Sequence, residues 1–125
     1  MENRKLMIWI LVSGAVAVAL GAFGAHGLKP YLDETGLQNF QTANRYQFYH
    51  TFLAAFFLIW KPGEPLLRKG ALWALAGIIL FSGSLYLLAL RSTLGIPSFI
   101  GILTPLGGIC FILAWLSGIL KLLKS

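Results

Sequence analysis

Charged residues are scarce in this chain, and acidic residues are the scarcest of them. Charged side chains make up 11% of the 125 residues, with four carboxylates against ten lysines and arginines, while hydrophobic residues make up 58%. Ordinary soluble domains carry roughly a quarter charged residues. The composition therefore argues against a water-soluble fold and predicts a single integral membrane domain over residues 1–125.

Motifs for catalysis and metal binding are also missing. The sequence contains no HExxH, no glycine-rich phosphate loop and no GxSxG. The carboxylates lie outside the apolar runs, at Glu2, Asp33, Glu34 and Glu64. The single cysteine, Cys110, permits neither an intrachain disulfide nor a CxxC motif. We therefore expect no catalytic residue, no metal site and no cofactor, and the chain is not predicted to be an enzyme.

The excess of positive charge, formally +6, flanks the apolar runs. Basic residues in that position orient membrane helices, because cytoplasmic loops are enriched in lysine and arginine, and their placement argues against nucleic-acid binding. Seven basic residues fall on the side of both termini and three on the other, namely Arg4, Lys5, Lys61, Arg68, Lys69, Lys121 and Lys124 against Lys29, Arg45 and Arg91. Both termini are therefore predicted to be cytoplasmic.

Four segments rich in apolar residues are each long enough to cross a bilayer, which takes about 20 helical residues. The predicted spans cover about residues 6–25, 38–60, 71–90 and 97–120. The predicted fold class is all-α, a four-helix transmembrane bundle. A cleaved signal peptide is the alternative interpretation of the first run, although about 20 apolar residues exceed the usual h-region.

Two of the predicted spans have unusual features. The continuously apolar part of the second, residues 48–60, is too short to cross alone, so that helix is expected to begin earlier and carry polar residues into the membrane. In the fourth span, Pro97 suits the first helical turn, where a missing N–H costs nothing, and Pro105 is expected to kink the helix.

Small residues recur at every fourth position of the first span, at Ser13, Ala17, Gly21 and Ala25. Such a stripe allows helix backbones to approach closely, which is a common basis of association in lipid. The stripe is compatible with two arrangements, tight packing within the bundle or a seam between copies of the chain.

Four short motifs occur along the chain in a characteristic order. They are Gly21-Ala-Phe-Gly-Ala-His-Gly-Leu28, Tyr46-Gln-Phe-Tyr-His50, Phe81-Ser-Gly-Ser-Leu-Tyr-Leu-Leu-Ala-Leu90 and Thr104-Pro-Leu-Gly-Gly108. Together they resemble the family catalogued as domain of unknown function 423, the transmembrane protein 256-like small membrane proteins. The resemblance spans nearly the whole chain. It implies a multi-pass protein of the bacterial cell (cytoplasmic) membrane with four spans, and it implies no activity.

Polar side chains of the second span fall on one helical face. At about 100° per residue, one arc contains Asn44, Gln47, His50 and Thr51, and another contains Phe48, Phe52 and Phe56. We expect the polar arc to face the bundle and the phenylalanines to face lipid. Counted from Trp60 at the cytoplasmic interface, His50 lies about 15 Å deep, and an ionisable group at that depth is a functional hypothesis by default.

The predicted functional polar cluster consists of His26, Asn44, Arg45, Tyr46, Gln47, His50, Ser84, Tyr86 and Thr104. His26 closes the first span, where it can also cap carbonyls or face headgroups. Arg45 can snorkel to headgroups or pair with a carboxylate of the first loop, Asp33 or Glu34. Tyr46 precedes His50 by four residues and can hydrogen-bond to it. The serines, tyrosine and threonine of the third and fourth spans would extend a buried network over three helices.

Three functions remain open at this stage. The first is a structural, accessory or partner-binding membrane protein, in a homo-oligomer or a larger complex, with the lipid bilayer as its surroundings. The second is a small carrier or channel with a polar path centred on His50. The third is a lipid or quinone binder with His26, Arg45 and His50 around a pocket open to the outer leaflet.

Overall fold

The computed structural model describes residues 3–125 apart from the side chain of Ala25, so Glu2 and that member of the small-residue stripe lie outside the described residues. Every regular element within this range is helical. The α-helices are α1 (Arg4–His26), α2 (Glu34–Trp60), α3 (Pro65–Gly77), α4 (Gly83–Ala89), the single turn α5 (Arg91–Leu94) and α6 (Leu103–Lys124). Tighter 3₁₀ turns occupy Lys29–Tyr31 and Ser98–Ile102, and a π turn, Ile78–Ser82, joins α3 to α4.

The helix α2 begins earlier than its apolar part, as its short hydrophobic run predicts. Asp33 is its N-cap, and the Asp33 carboxylate accepts a hydrogen bond of 2.6 Å from the Gly36 backbone N–H. This bond satisfies one of the backbone donors that a helix N-terminus leaves free. The polar residues from Glu34 to Gln47 therefore belong to the same helix as the apolar residues that follow.

The next helix also begins earlier than its apolar run, at Pro65 and not near residue 71. Pro65 occupies the first helical turn, where proline costs no hydrogen bond, and the Glu64 side chain caps the turn by accepting from the Leu66 N–H at 3.4 Å. From there α3, the π turn and α4 run on as one segment, Pro65–Ala89.

The two prolines of the last span occupy other positions in their helices than expected. Pro97 precedes the helical residues, with extended backbone at ψ 143°, so it is not in a helical turn. Pro105 is the third residue of α6, since residues Ser98–Ile102 are wound as a 3₁₀ helix. In a first turn the N–H has no partner within the α-helix, so a proline at this position costs α6 no hydrogen bond of its own.

Within residues 3–125, three segments are long and apolar enough to cross a membrane: Arg4–Gly24, Pro65–Ala89 and Ser98–Lys124. The helix α2 is not among them, and its polar N-terminal half accounts for that. It nevertheless lies inside the bundle, because α1 packs against α2 while α6 packs against α3 and the π turn, which in turn contact α2. An apolar core joins all of these near one end, with members such as Ile10, Phe57, Leu67 and Ala114.

Small residues bring the helix backbones close together. A Cβ built on Gly21 would lie 2.9 Å from Asn44 Oδ1, and one built on Gly24 would overlap the Phe40 ring. The stripe on α1 therefore packs against α2 of the same chain. In the same way, a Cβ on Gly107 of α6 would lie 2.7 Å from the Phe81 Cα in the π turn.

Polar contacts fasten the two ends of the bundle. At the end with both termini, the Lys121 ammonium lies 3.0 Å from the Glu64 carboxylate, and this hydrogen bond lowers the pKa of Glu64 below its ordinary value. At the opposite end, the Thr93 hydroxyl donates to the Tyr31 carbonyl at 2.5 Å. The loops that follow α1 and α4 are thus tied together.

Candidate functional site in the bundle interior

A hydrogen-bond network, here called the polar network, links α1, α2 and α4 through Ser13, Asn44, Gln47, Thr51 and Tyr86. Gln47 is its centre and is only 3% exposed. The Gln47 amide donates to the Ser13 carbonyl at 2.9 Å, while its Oε1 accepts from the Tyr86 hydroxyl at 2.7 Å. One side chain of α2 therefore bridges the helices on either side of it.

The other two members extend this bridge along α1. The Asn44 amide donates to the Ala17 carbonyl at 2.8 Å and to the Tyr86 hydroxyl at 3.1 Å. The Thr51 and Ser13 hydroxyls are hydrogen-bonded to each other at 2.8 Å. Gln47 thus has both its donor and its acceptor paired with protein atoms, and Asn44 has its donor paired, which is what burial of an amide favours in an apolar medium.

The serines of the third helical segment make separate links. The Ser82 hydroxyl, fully buried in the π turn, donates to the Ala43 carbonyl of α2 at 2.8 Å. Ser84 and Thr104 share a hydrogen bond of 2.5 Å, and Ser84 also reaches the Phe81 carbonyl at 2.9 Å. Ser84 and Thr104 therefore join α4 to α6 and do not contact the polar network.

His50 is also outside that network, on the side of α2 that faces α6. The Trp115 indole N–H donates to His50 Nε2 at 3.1 Å, and His50 Nδ1 lies 2.8 Å from the Tyr46 carbonyl. An indole N–H only donates and a carbonyl only accepts, so Nε2 is the acceptor and Nδ1 carries the proton. These contacts fit a neutral imidazole, 4% exposed, with both nitrogens already bonded to protein.

Aromatic rings surround the His50 imidazole. The Phe111 ring stacks on it with centroids 3.5 Å apart and planes 10° apart, and Tyr46 stacks more loosely at 6.0 Å. The expected hydrogen bond between Tyr46 and His50 is present, and the Tyr46 backbone carbonyl is the group that makes it. In an α-helix the backbone carbonyl of residue i is within reach of a side chain at i+4, which explains why the Tyr46 carbonyl, and not its hydroxyl, is the partner of His50.

Two residues of the predicted cluster lie apart from it. His26 is exposed at the last position of α1. Arg45 is exposed on α2, and its guanidinium bonds the Thr42 hydroxyl at 3.3 Å. In the described part of the chain Arg45 forms no ion pair with Asp33 or Glu34. Neither His26 nor Arg45 lines the cleft that contains His50.

The predicted cluster does not contain Ser13, Phe111 and Trp115, nor Thr51, which the sequence placed only on the polar arc of α2. Ser13 appeared only as a small residue of the α1 stripe, although it both packs and accepts hydrogen bonds. Phe111 and Trp115 lie one helical turn apart on α6, a spacing that places them on one face. That spacing is common in membrane helices, and nothing in it points to a histidine more than 60 residues earlier. In residues 3–125 no group of three metal-ligating side chains comes together.

Three apolar helical segments and a fourth helix whose polar groups are paired inside the bundle define a multi-pass membrane protein. The chain belongs to the family described as "Protein of unknown function (DUF423)", which matches residues 20–108. No solved structure matches the chain.

Bacterial relatives extend over almost the whole length. The UPF0382 membrane protein YwdK of Bacillus subtilis is 37% identical over 116 residues, which is 90% of this chain and 91% of the relative. A UPF0382 membrane protein of Haemophilus influenzae is 38% identical and covers 94% of this chain and 91% of its own. The UPF0382 inner membrane protein YgdD of Escherichia coli is 36% identical, over 92% of this chain and 86% of its own. These names place the family in membranes and assign it no activity.

Proposed function

We propose that the chain is a four-span protein of the bacterial cytoplasmic membrane that works as a structural or accessory subunit, with both termini in the cytoplasm. The fourth span is α2, which at 27 residues is about 40 Å long by the usual helical rise. An α2 on the membrane surface would have to withdraw Gln47 and His50 from the bundle interior, where both are buried. The seven-to-three distribution of basic residues supports the orientation.

The observation that supports a structural role is the pairing of polar groups in the bundle interior. Asn44, Gln47 and Tyr86 form hydrogen bonds with one another and with α1. Both ring nitrogens of His50 are hydrogen-bonded to other residues of the chain. A carrier path requires polar groups that can exchange their partners for a cargo. Protonating His50 at Nε2 would break its bond with Trp115, so a proton switch at this position works against the observed contacts.

The orientation has a direct test by reporter fusions. We expect a green fluorescent protein fused after Ser125 to fluoresce, and alkaline phosphatase fused there to be inactive, because the end rich in lysine remains in the cytoplasm. A phosphatase fused after Gly95, in the loop between α5 and the last span, should be active. The opposite pattern at the two sites would overturn the proposed topology, and activity at neither or both sites would show that the last segment does not cross the membrane.

The structural role is tested by two measurements, the protein's association state and its ability to transport protons. We expect native mass spectrometry of the protein, extracted gently from its own membrane, to give a homo-oligomer or a complex with another membrane protein. Liposomes containing the purified protein should leak protons under an imposed pH gradient no faster than protein-free liposomes. A bare monomer would contradict the accessory role. Proton flux above that of empty liposomes would favour the carrier hypothesis instead.

A further inference from the structure

An aromatic cleft lies between α2 and α6, on the side of His50 opposite the polar network. It has a volume of about 650 Å³ and is lined on α2 by Tyr46, Tyr49 and His50 and on α6 by Gly108, Phe111 and Trp115. The outer part of its wall is open, since Phe52 is 68% and Ile112 60% exposed. In a membrane this opening faces the acyl chains, so a ligand would enter from lipid. A volume of this size is in the range of sites for small organic ligands.

The wall of the cleft has a glycine, Gly108, where helix packing does not require one. A Cβ built on Gly108 meets no atom within 4 Å, whereas its neighbour Gly107 is held against the Phe81 backbone. Packing therefore accounts for the glycine at 107 and leaves the one at 108 unexplained. Because Gly108 lines the cleft, the absence of a side chain at this position leaves the cleft wider.

Two hydrogen-bond donors line the cleft without a protein partner. The Tyr46 and Tyr49 hydroxyls make no hydrogen bond to any residue in the range 3–125, although both residues line the cleft. On the proposed membrane placement Tyr46 is near the middle of α2, where no water is at hand and an unpaired hydroxyl is costly. A ligand in the cleft would be recognised by a hydrogen-bond acceptor at this depth.

The geometry points to a membrane-soluble ring compound with carbonyl acceptors, the chemical class of the isoprenoid quinones, as the occupant of the cleft. Its flat ring would stack against the aromatic side chains that line the cleft, such as Tyr46 and Trp115. Its carbonyl oxygens would accept from the two tyrosine hydroxyls, and its apolar tail would leave through the opening to lipid. A phospholipid acyl chain lacks the acceptor and the ring. This site does not use the polar network, so it is independent of the structural role proposed above.

The test is a titration of the purified full chain in detergent with decylubiquinone, a quinone with a short tail, followed by quenching of tryptophan fluorescence. Trp115 lies in the cleft, and we expect saturable quenching in the wild type. Gly108→Leu fills the empty wall and should weaken the apparent affinity at least tenfold. Ile109→Phe, which adds bulk at the next residue on the lipid-facing side, is the matched control and should bind as the wild type does.

A second variant separates recognition from folding. The double variant Tyr46→Phe/Tyr49→Phe keeps both rings and removes both hydroxyls, and it should bind the quinone about tenfold more weakly. Thermal unfolding shows whether Gly108→Leu is folded. If it is not, the double variant alone still tests whether the hydroxyls contribute to binding. Decylbenzene, which has a ring and a tail but no carbonyl, should not displace the quinone. Equal binding of decylbenzene, or quenching that is the same in every variant, would mean that the cleft is filled by ordinary acyl chains and would overturn the proposal.

Discussion

Replacing Gly107 by alanine is expected to destabilise the protein by about 3 kcal/mol or more, through one added methyl group. A Cβ at this position would lie 2.7 Å from both the Cα and the Cβ of Phe81, atoms of the neighbouring π turn that no rotamer change can move away. Overpacking usually costs roughly 1–3 kcal/mol, and a clash with backbone lies at the upper end of that range or beyond. To relieve it, α6 must shift away from the π turn and loosen its contact with α3.

The adjacent glycine provides the control for this prediction. Gly108→Ala makes the same chemical change one residue further along α6, where a Cβ meets nothing within 4 Å. It should be neutral or should stabilise the helix by up to about 1 kcal/mol, because alanine is the better helix former. Thermal unfolding of both variants in the same detergent measures the difference. If the two variants unfold at the same temperature, the close approach of α6 to the π turn is not present in the membrane protein.

Replacing Gln47 by leucine is expected to cost about 2 kcal/mol of stability, although the two side chains are similar in size. The change removes the donor to the Ser13 carbonyl and the acceptor of the Tyr86 hydroxyl, and it leaves that hydroxyl without its acceptor. Interhelical hydrogen bonds in membranes average about 0.6 kcal/mol, and a buried donor left unpaired costs roughly a further 1–3 kcal/mol.

Two further variants make this prediction specific to the network. Gln41→Leu makes the same substitution at an exposed position of α2 and should leave the stability unchanged. Tyr86→Phe removes the stranded hydroxyl, so the double variant Gln47→Leu/Tyr86→Phe should be more stable than the sum of the single effects predicts. Strictly additive costs for the two single variants would show that Gln47 and Tyr86 are not coupled, and would contradict the bridge from α2 to α4.

The sequence anticipated features that depend on composition and on position within one helix. The burial of Gln47 and His50, together with the exposure of Phe52 and Phe56, follows from the angular spacing of those residues on α2. The early start of α2 follows from the shortness of its apolar run. Each of these inferences needs only the helical period and the thickness of the membrane.

Helix starts were harder to anticipate, and Pro105 shows why. A proline within an apolar run normally indicates a kink, yet here the preceding residues are wound as a 3₁₀ helix and the α-helix begins only two residues before the proline. Pro105 therefore lies in the first turn of α6 and not in the interior of a longer α-helix. Local propensity does not distinguish the two cases, because the winding of residues 98–102 depends on the neighbouring segment α4, against which they pack.

By itself, the amino-acid sequence determined that this is a helical membrane protein and which face of α2 carries the polar groups, since hydropathy and period are properties of each segment alone. Only the tertiary structure decided which groups meet. It pairs Gln47 with Ser13 and Tyr86, and it sets His50 apart against Trp115. The physical reason is that contacts between helices depend on their relative rotation and depth, which are set by how the side chains of both helices fit together and are encoded in neither helix alone.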